Sequence, residues 1–473
     1  MAPGESPARA VGSVNEVVSL LARSDPRETR AARRARGKAA RGRARRSELG
    51  RWEPGATRPD PVALLDAQNV NRFPDLVPVR WGRMVASPFA FFRGSAAVMA
   101  SDLATSPVSG LVTQVCGDAH LQNFGLFASP ERRLLFDLND FDETLPGPWE
   151  WDVTRLATSI VLAMRANGVD GARQREAALV CARSYREAMA AYADMSSTEV
   201  WYSKIDVDEA LTELVGGTRL QLARVADRAR KRTTMQALER LTTVVDGHRR
   251  INDDPPIVEH RPEAMDAYDI RAMVDEYRTT LAEERRYLFD RFGIVDIARK
   301  VVGVGSVGTH CWIALAVADS EQDDPLFLQI KEATRSVMEP FVGRSAHRHH
   351  GQRVVIGQRM MQAASDLFLG WMSSADGRDY YVRQLRDMKG SVRTELMSAE
   401  DLSTYGSRCA SVLARAHARS GDPVALSGYL GRSQVFDTAI ASFARAYADQ
   451  AERDHAELRR AVDAGRVVAL EGV

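Results

Sequence analysis

The chain has 473 residues, 45% hydrophobic and 27% charged, which excludes wholesale disorder and a collagen-like chain and is ample for a sizeable core. Lys+Arg 64 against Asp+Glu 63 leave a net charge of +1, so the protein is not a polycation that coats nucleic acid, and no specific nucleic-acid partner is expected. Cys116, Cys181, Cys311 and Cys409 lie far apart without CxxC spacing, the pattern of reduced thiols in a cytoplasmic protein rather than of a disulfide framework or zinc cluster. No apolar run approaches the roughly 18 residues that span a bilayer. The opening MAPGESPARAVG lacks the order of a secretory signal. A cytoplasmic protein without membrane insertion is expected.

Residues 1–60 read as a basic, partly flexible N-terminal arm. Between residues 27 and 51, Glu28 and Glu48 are the only acids, so the arm either contacts an anion or lays its arginines on acids of the same chain. Residues 61–294 follow as a helical lobe. SPFAFFRG sets Phe89, Phe91 and Phe92 beside Arg93; Arg80, Arg83 and Arg93 either meet an anionic group or stack on these aromatics. Two short apolar runs, GLVTQV and LLFDL, predict strands ending in polar loops. From residue 152 the apolar period is helical, with Asp152 as N-cap and Gly168 as stop, and helices are expected to about residue 260 and again over 268–292. At residue 295 the period becomes two. Strand, Gly-rich turn, strand, acidic turn and strand lead to a helix near 346–364 and a hairpin, giving a β-rich unit over 295–390. Residues 391–473 read as helices packing on the first lobe.

Two constellations carry chemistry. GDAHLQN places Asp118, His120 and Asn123 on a loop after a strand, and FDLNDFDE places Asp137, Asp140, Asp142 and Glu143 at the end of the next. Phosphoryl transfer needs a carboxylate to orient a hydroxyl and accept its proton, with an amide and a carboxylate to hold Mg²⁺. The alternative is capping residues and a solvated acidic turn. The second is GVGSVGT, with Gly303, Gly305, Ser306 and Gly308, followed by a strand, a turn and a strand ending on Lys331. A dinucleotide fold would open a helix after Gly308. A strand there, with a lysine on the next, is the protein-kinase arrangement over ATP phosphates.

The stretches GDAHLQNFG, FDLNDFDET, WDVTRLA, SPFAFFRG, GVGSVGT and LQIKEA resemble the bacterial DUF2252 family, from about residue 37 to 451. More distantly, GDAHLQN and the run from DFDE to WDVTRLA resemble aminoglycoside phosphotransferases and protein-kinase-like enzymes. That resemblance implies an α+β, two-lobed, kinase-like fold that binds ATP and Mg²⁺. It puts Asp118 on the catalytic base, His120 on the loop histidine, Asn123 and Asp140 on the metal ligands with Asp137 and Asp142 as substitutes, and Asp152 on the helix aspartate. Gly303, Gly305, Ser306 and Gly308 become the phosphate cover and Lys331 the phosphate clamp. Cys116 stands where phosphotransferases have a first histidine. The glycine turn and lysine here follow the catalytic loop by about 190 residues, so the expected topology is a circular permutation with Lys331 beside the Asp118/Asp140 pocket. The lysine's own partner stays open among Glu332, Glu339 and Gln358. Three functions remain: γ-phosphoryl transfer from ATP to a hydroxyl of a small molecule or protein, a catalytically silent kinase-like nucleotide-binding module, and nucleotidyl transfer. His347, His349 and His350 are expected to be solvated rather than metal-binding.

Overall fold

The computed structural model describes residues 25, 27–213, 216–231, 234–261, 267–318, 324–385, 390 and 392–472. Helix α1 (Arg30–Ala39) starts where the Thr29 hydroxyl accepts the Ala32 N–H. Helices α2 (Val77–Val85) and α3 (Pro88–Gly94) follow. Ser87 caps α3 by accepting the Ala90 N–H, and Pro88 stands in the first turn, where no N–H is missed. Two antiparallel ribbons come next: β1 (Val112–Val115) pairs with β4 (Leu145–Pro148), enclosing β2 (Phe124–Ala128) paired with β3 (Leu134–Leu138).

Helix α4 (Trp149–Ala166) leads into α5 (Gly171–Asp194). Asp152 is therefore not the cap of α4; it lies in the first turn, buried. The expected helical stretch also ends early. Residues 242–251 form a hairpin of β5 (Thr242–Val245) and β6 (His248–Ile251). Asp246 and Gly247 turn it with φ of 52° and 80°, the double positive φ that an Asp-Gly pair accommodates.

After β7 (Val258–Glu259) and α6 (Ala267–Thr280) come β8 (Gly293–Lys300), β9 (Cys311–Val317) and β10 (Pro325–Glu332). Helix α7 (His350–Met361) precedes β11 (Gly370–Ser373) and β12 (Asp379–Gln384). The chain closes with α8 (Ala399–Ser420), α9 (Pro423–Leu430) and α10 (Val435–Asp463).

Strands β7 to β12 build one antiparallel sheet in the order β11-β12-β10-β9-β8-β7. Its period-two pattern sorts side chains onto two faces. Trp312, Ala314 and Ala316 face the core that includes Met273 and Tyr277 of α6, while Ile313 and Leu315 face Leu238, Ile251 and Phe327. The largest core unites α4, α5, α8 and α10, with Trp149 stacked on Tyr185 at 5.5 Å between centroids. The protein is thus α+β, with one six-stranded sheet and a helical body. No helix among the described residues is long and apolar enough to cross a membrane. All four cysteines are buried and free.

The structure decides between the two readings of the basic segment. From Arg30 onward it is folded onto the C-terminal helices. Arg33 and Arg36 donate to Asp422, Arg41 to the carbonyls of Gly428 and Tyr429, and Arg46 to Leu430. These helices touch closely because glycines face each other's backbone: a Cβ on Gly37 would lie 1.9 Å from the Ala425 carbonyl oxygen, and one on Gly428 would lie 2.4 Å from that of Arg34. These arginines are engaged inside the molecule and are not displayed for an anion. Residues 1–24 lie outside the described residues.

Candidate functional site

A cleft of about 690 Å³ opens between the β1–β4 loops and the glycine turn that joins β8 to β9. Asp118, His120, Asn123, Asp140 and Asp142 line one wall, and Gly303, Gly305 and Ser306 the other.

The first wall is held by its own backbone. Gly117 has φ +78°, and a Cβ there would meet the Glu143 carbonyl oxygen at 2.6 Å, so glycine is required where this loop crosses the acidic turn. The N–H groups of Cys116 and Gly117 both donate to Asp152, at 2.6 and 2.9 Å. His417 Nε2 lies 3.2 Å from the same carboxylate and its Nδ1 2.8 Å from the Tyr185 hydroxyl. Asn123 ties the two acidic loops together. Its Nδ2 donates to the carbonyls of Asp118 and Asp140, each at 3.0 Å, and its Oδ1 accepts the Asp140 N–H at 2.7 Å. Asp118 Oδ1 accepts from Arg155 Nε at 2.6 Å, leaving Oδ2 turned toward His120 Nε2, 3.8 Å away.

Lys331 comes from β10 to the same place. Its Nζ lies 3.4 Å from Asp140 Oδ2 and contacts Asp142, although Lys331 and Asp140 are 191 residues apart in the chain. The open question of its partner is thereby answered. Glu332 pairs with His310 and Arg378, Glu339 with Arg335, and Gln358 donates to Gln362. The lysine instead uses the acidic turn itself, with Tyr381 donating to Asp142 Oδ1 at 2.8 Å and Ser306 to Oδ2 at 3.2 Å.

The glycine turn is docked rather than free. Val304 and Val307 are buried. Arg83 donates to the Gly303 carbonyl at 2.7 Å, Arg72 to that of Val307, and the Phe73 N–H to that of Gly308 at 2.8 Å. Gly308 faces this docking contact, with φ +83° and the Arg72 Cβ 3.2 Å from where its own Cβ would lie. It fastens the turn and does not line the cleft.

Asp137 is also corrected. Its carboxylate is fully buried on the far side of β3, with Arg415 Nη2 at 2.6 and 2.7 Å from its two oxygens and the Ala363 N–H at 2.8 Å. With its oxygens so occupied it cannot substitute as a metal ligand in the cleft. The histidine segment is less exposed than expected: His349 caps α7 by accepting the Gln352 N–H, and its Nε2 lies 3.4 Å from Asp379. Sequence reasoning missed Arg155, Arg415 and His417. Arg155 sits one turn after Asp152 in WDVTRLA and the other two in ARAHAR, and buried charges inside apolar helices were the signal available.

A match to the family described as "Uncharacterized protein conserved in bacteria (DUF2252)" runs over residues 72–461, taking in both walls of the cleft. The chain belongs to the DUF2252 family. No curated protein and no solved structure matches it.

The electrostatics of this DUF2252 cleft separate its carboxylates. Desolvation would raise both Asp140 and Asp142, but Lys331 and Arg383 outweigh it at Asp140 and hold that carboxyl below the ordinary range. At Asp142, desolvation and the neighbouring Asp140 charge win over Lys331, and the carboxyl is raised. Lys331 is 2% exposed. Burial alone would lower its ammonium, yet the two aspartates carry it well above 10.5. Asp118 is raised by burial against the opposing pull of Arg155. Glu143 is pushed up to about 7 by burial, although the Val337 N–H and Arg353 oppose it. His120 is driven down by burial and by Arg93 and Arg155, so its ring stays neutral.

Among the described residues no three His, Cys, Asp or Glu side chains converge as a closed metal cage. Mg²⁺ does not ask for one, since it takes one or two carboxylates and completes its shell with phosphate and water oxygens. In the DUF2252 cleft Asp140, 43% exposed, and the second lone pair of Asn123 Oδ1 are hard oxygen donors of that kind.

Proposed function

We propose that this DUF2252 protein is an ATP·Mg²⁺-dependent phosphotransferase that moves the γ-phosphoryl group to a hydroxyl, on a two-lobed, kinase-like fold in circularly permuted order. One observation carries the reading: Lys331, on the second strand after the glycine turn, shares an ion cluster with Asp140 across 191 residues of chain. A glycine turn, a lysine strand and a helix facing a base-and-metal loop make the kinase layout. The permuted order is supported by the way the N-terminal segment lies on the C-terminal helices, with Arg33 and Arg36 of α1 donating to Asp422 ahead of α9 and Arg466 donating to Asp60.

Asp118 Oδ2 orients the acceptor hydroxyl and takes its proton as the new O–P bond forms and the bond from the γ-phosphorus to the leaving diphosphate oxygen breaks. Arg155 fixes the other oxygen, so the base presents one defined face. Asn123 and Asp140 would hold Mg²⁺, which when bound neutralises charge on the phosphates. Lys331 leaves Asp142 for the α- and β-phosphates, and Gly303 and Gly305 let backbone approach them. The acceptor is a small-molecule or protein hydroxyl.

The test is incubation of the full chain with Mg²⁺ and ATP labelled in parallel at the γ and α positions. Label transferred from the γ position, and lost in Asp118→Asn by roughly 10²–10⁴ in rate with nucleotide binding retained, is the expected result. Label transferred from the α position instead would assign nucleotidyl transfer, and binding without consumption of ATP a silent module.

A further inference from the structure

Arg93 was the residue of SPFAFFRG whose role the sequence left undecided, and its surroundings are unlike those of the other arginines near it. Arg72 and Arg83 are bound to carbonyls of the glycine turn, Arg80 to Leu65, Gln68 and Asn69, and Arg155 to Asp118. Arg93 lines the cleft, its Nε is sealed from solvent without a partner, and it makes neither a hydrogen bond nor an ion pair with any described residue. Asp118 and Glu395 act on its charge only through space, and a mostly buried guanidinium without a hydrogen-bonded counter-ion is costly unless an anion completes it.

Its position says which anion. The preceding carbonyl, that of Phe92, accepts from Arg155 Nη2 at 2.8 Å, and the Nε of the same guanidinium holds Asp118 at 2.6 Å. On the other side, a Cβ on Gly305 would lie 3.6 Å from the Arg93 carbonyl oxygen. Arg93 is thus anchored between the base and the tip of the glycine turn. A group in transfer must pass there, since the acceptor hydroxyl meets Asp118 and the donor phosphates lie under the glycines.

We propose that Arg93 receives the terminal phosphate of the nucleotide, so that the cleft distinguishes a nucleoside triphosphate from the diphosphate. The assignment rests on the phosphotransferase reading above and adds a residue that reading does not use. A guanidinium offers a two-pronged donor set matched to phosphate oxygens, and the acids that crowd this cleft make a counter-charge necessary for a triphosphate to enter.

Calorimetric titration of the full chain with ATP and with ADP, each with Mg²⁺, tests it. The wild type should bind both, with ATP preferred. Arg93→Ala should weaken ATP at least about tenfold while leaving ADP within about twofold, with the melting temperature without nucleotide recorded alongside to separate lost affinity from lost fold. Arg93→Lys, which keeps charge but not the fork, should recover part of the ATP preference, and serves alone if the alanine variant does not fold. An unchanged ATP preference in either variant, or equal loss for both nucleotides, overturns the assignment and leaves the phosphotransferase reading standing. A wild type that binds neither nucleotide overturns both.

Discussion

Arg155 and Asp118 are bound at 2.6 Å, and the same guanidinium lies 4.4 Å above the Phe92 ring and donates to the Phe92 carbonyl. One oxygen of the carboxylate is therefore fixed by a buried, fully oriented cation, and the other is left to the cleft. Arg155 also opposes the burial that raises this carboxyl.

Replacing Arg155 by Met should leave burial opposed only by the weaker pull of Arg93, and the Asp118 carboxyl should rise further. In the proposed reaction Asp118 acts as a base only when ionised, so the acid limb of the pH profile of ATP turnover should move to higher pH. Turnover at neutral pH should fall by roughly 10- to 100-fold. Rates between about pH 5 and 9 check this; a slower enzyme with an unmoved acid limb would show that Arg155 only supports the fold.

Lys331→Met should remove the positive charge that the proposed reaction sets against the nucleotide phosphates and weaken Mg²⁺·ATP binding by roughly 10- to 100-fold. It also leaves Asp140 and Asp142 without their ammonium, so both carboxyls should rise. Titration with nucleotide at neutral pH, with the melting temperature recorded alongside, separates lost affinity from lost fold.

Asp137 and Arg415 form a buried pair away from the chemistry. Arg415→Leu strands a buried carboxylate and should cost on the order of 3–5 kcal/mol of stability, whereas Asp137→Leu with Arg415→Leu together should cost less. Urea unfolding of the two variants measures the difference. A double variant that is stable but inactive would return Asp137 to the site.

Glu150 is buried with one oxygen accepting the Ser109 N–H and the other unpartnered, and burial pushes it up to about 7 from an ordinary 4.5. The folded state then holds a proton that the unfolded state releases, so stability is greatest below about pH 4.5 from this group and declines as pH climbs to about 7. Glu150→Gln keeps the acceptor and removes the titration. It should stabilise the protein at pH 8 by roughly 3 kcal/mol and flatten this decline, leaving the slope of the same sign that Glu143 contributes. Melting curves at about pH 5 and 8 compare the two proteins.

Legibility from sequence followed the range of the interaction. The glycine turn, the lysine strand and the hairpin at β11 and β12 were readable because period-two alternation and turn residues are local. The β5–β6 hairpin was equally local, and its Asp-Gly turn signalled it; helical spacing on either side masked it. FDLNDFDE was harder. Four acids in eight positions look alike along the chain, yet Asp137 points into the core toward Arg415 while Asp140 and Asp142 point toward Lys331. Only the partners, which come from α8 and β10, distinguish them.

By itself the sequence determined that the chain is α+β, that it carries GDAHLQN and the acidic turn on loops after strands, and that a glycine turn precedes Lys331, since each of these depends on residues within a few positions of one another. The tertiary structure decided that Lys331 takes Asp140 and Asp142 as partners, that Arg33, Arg36, Arg41 and Arg46 are engaged by the C-terminal helices, and that Arg93 makes no hydrogen bond or ion pair with a described residue. Those outcomes depend on which distant charges are buried together. In a low-dielectric interior the nearest opposite charge settles a side chain's role, and nearness there is set by packing rather than by sequence spacing.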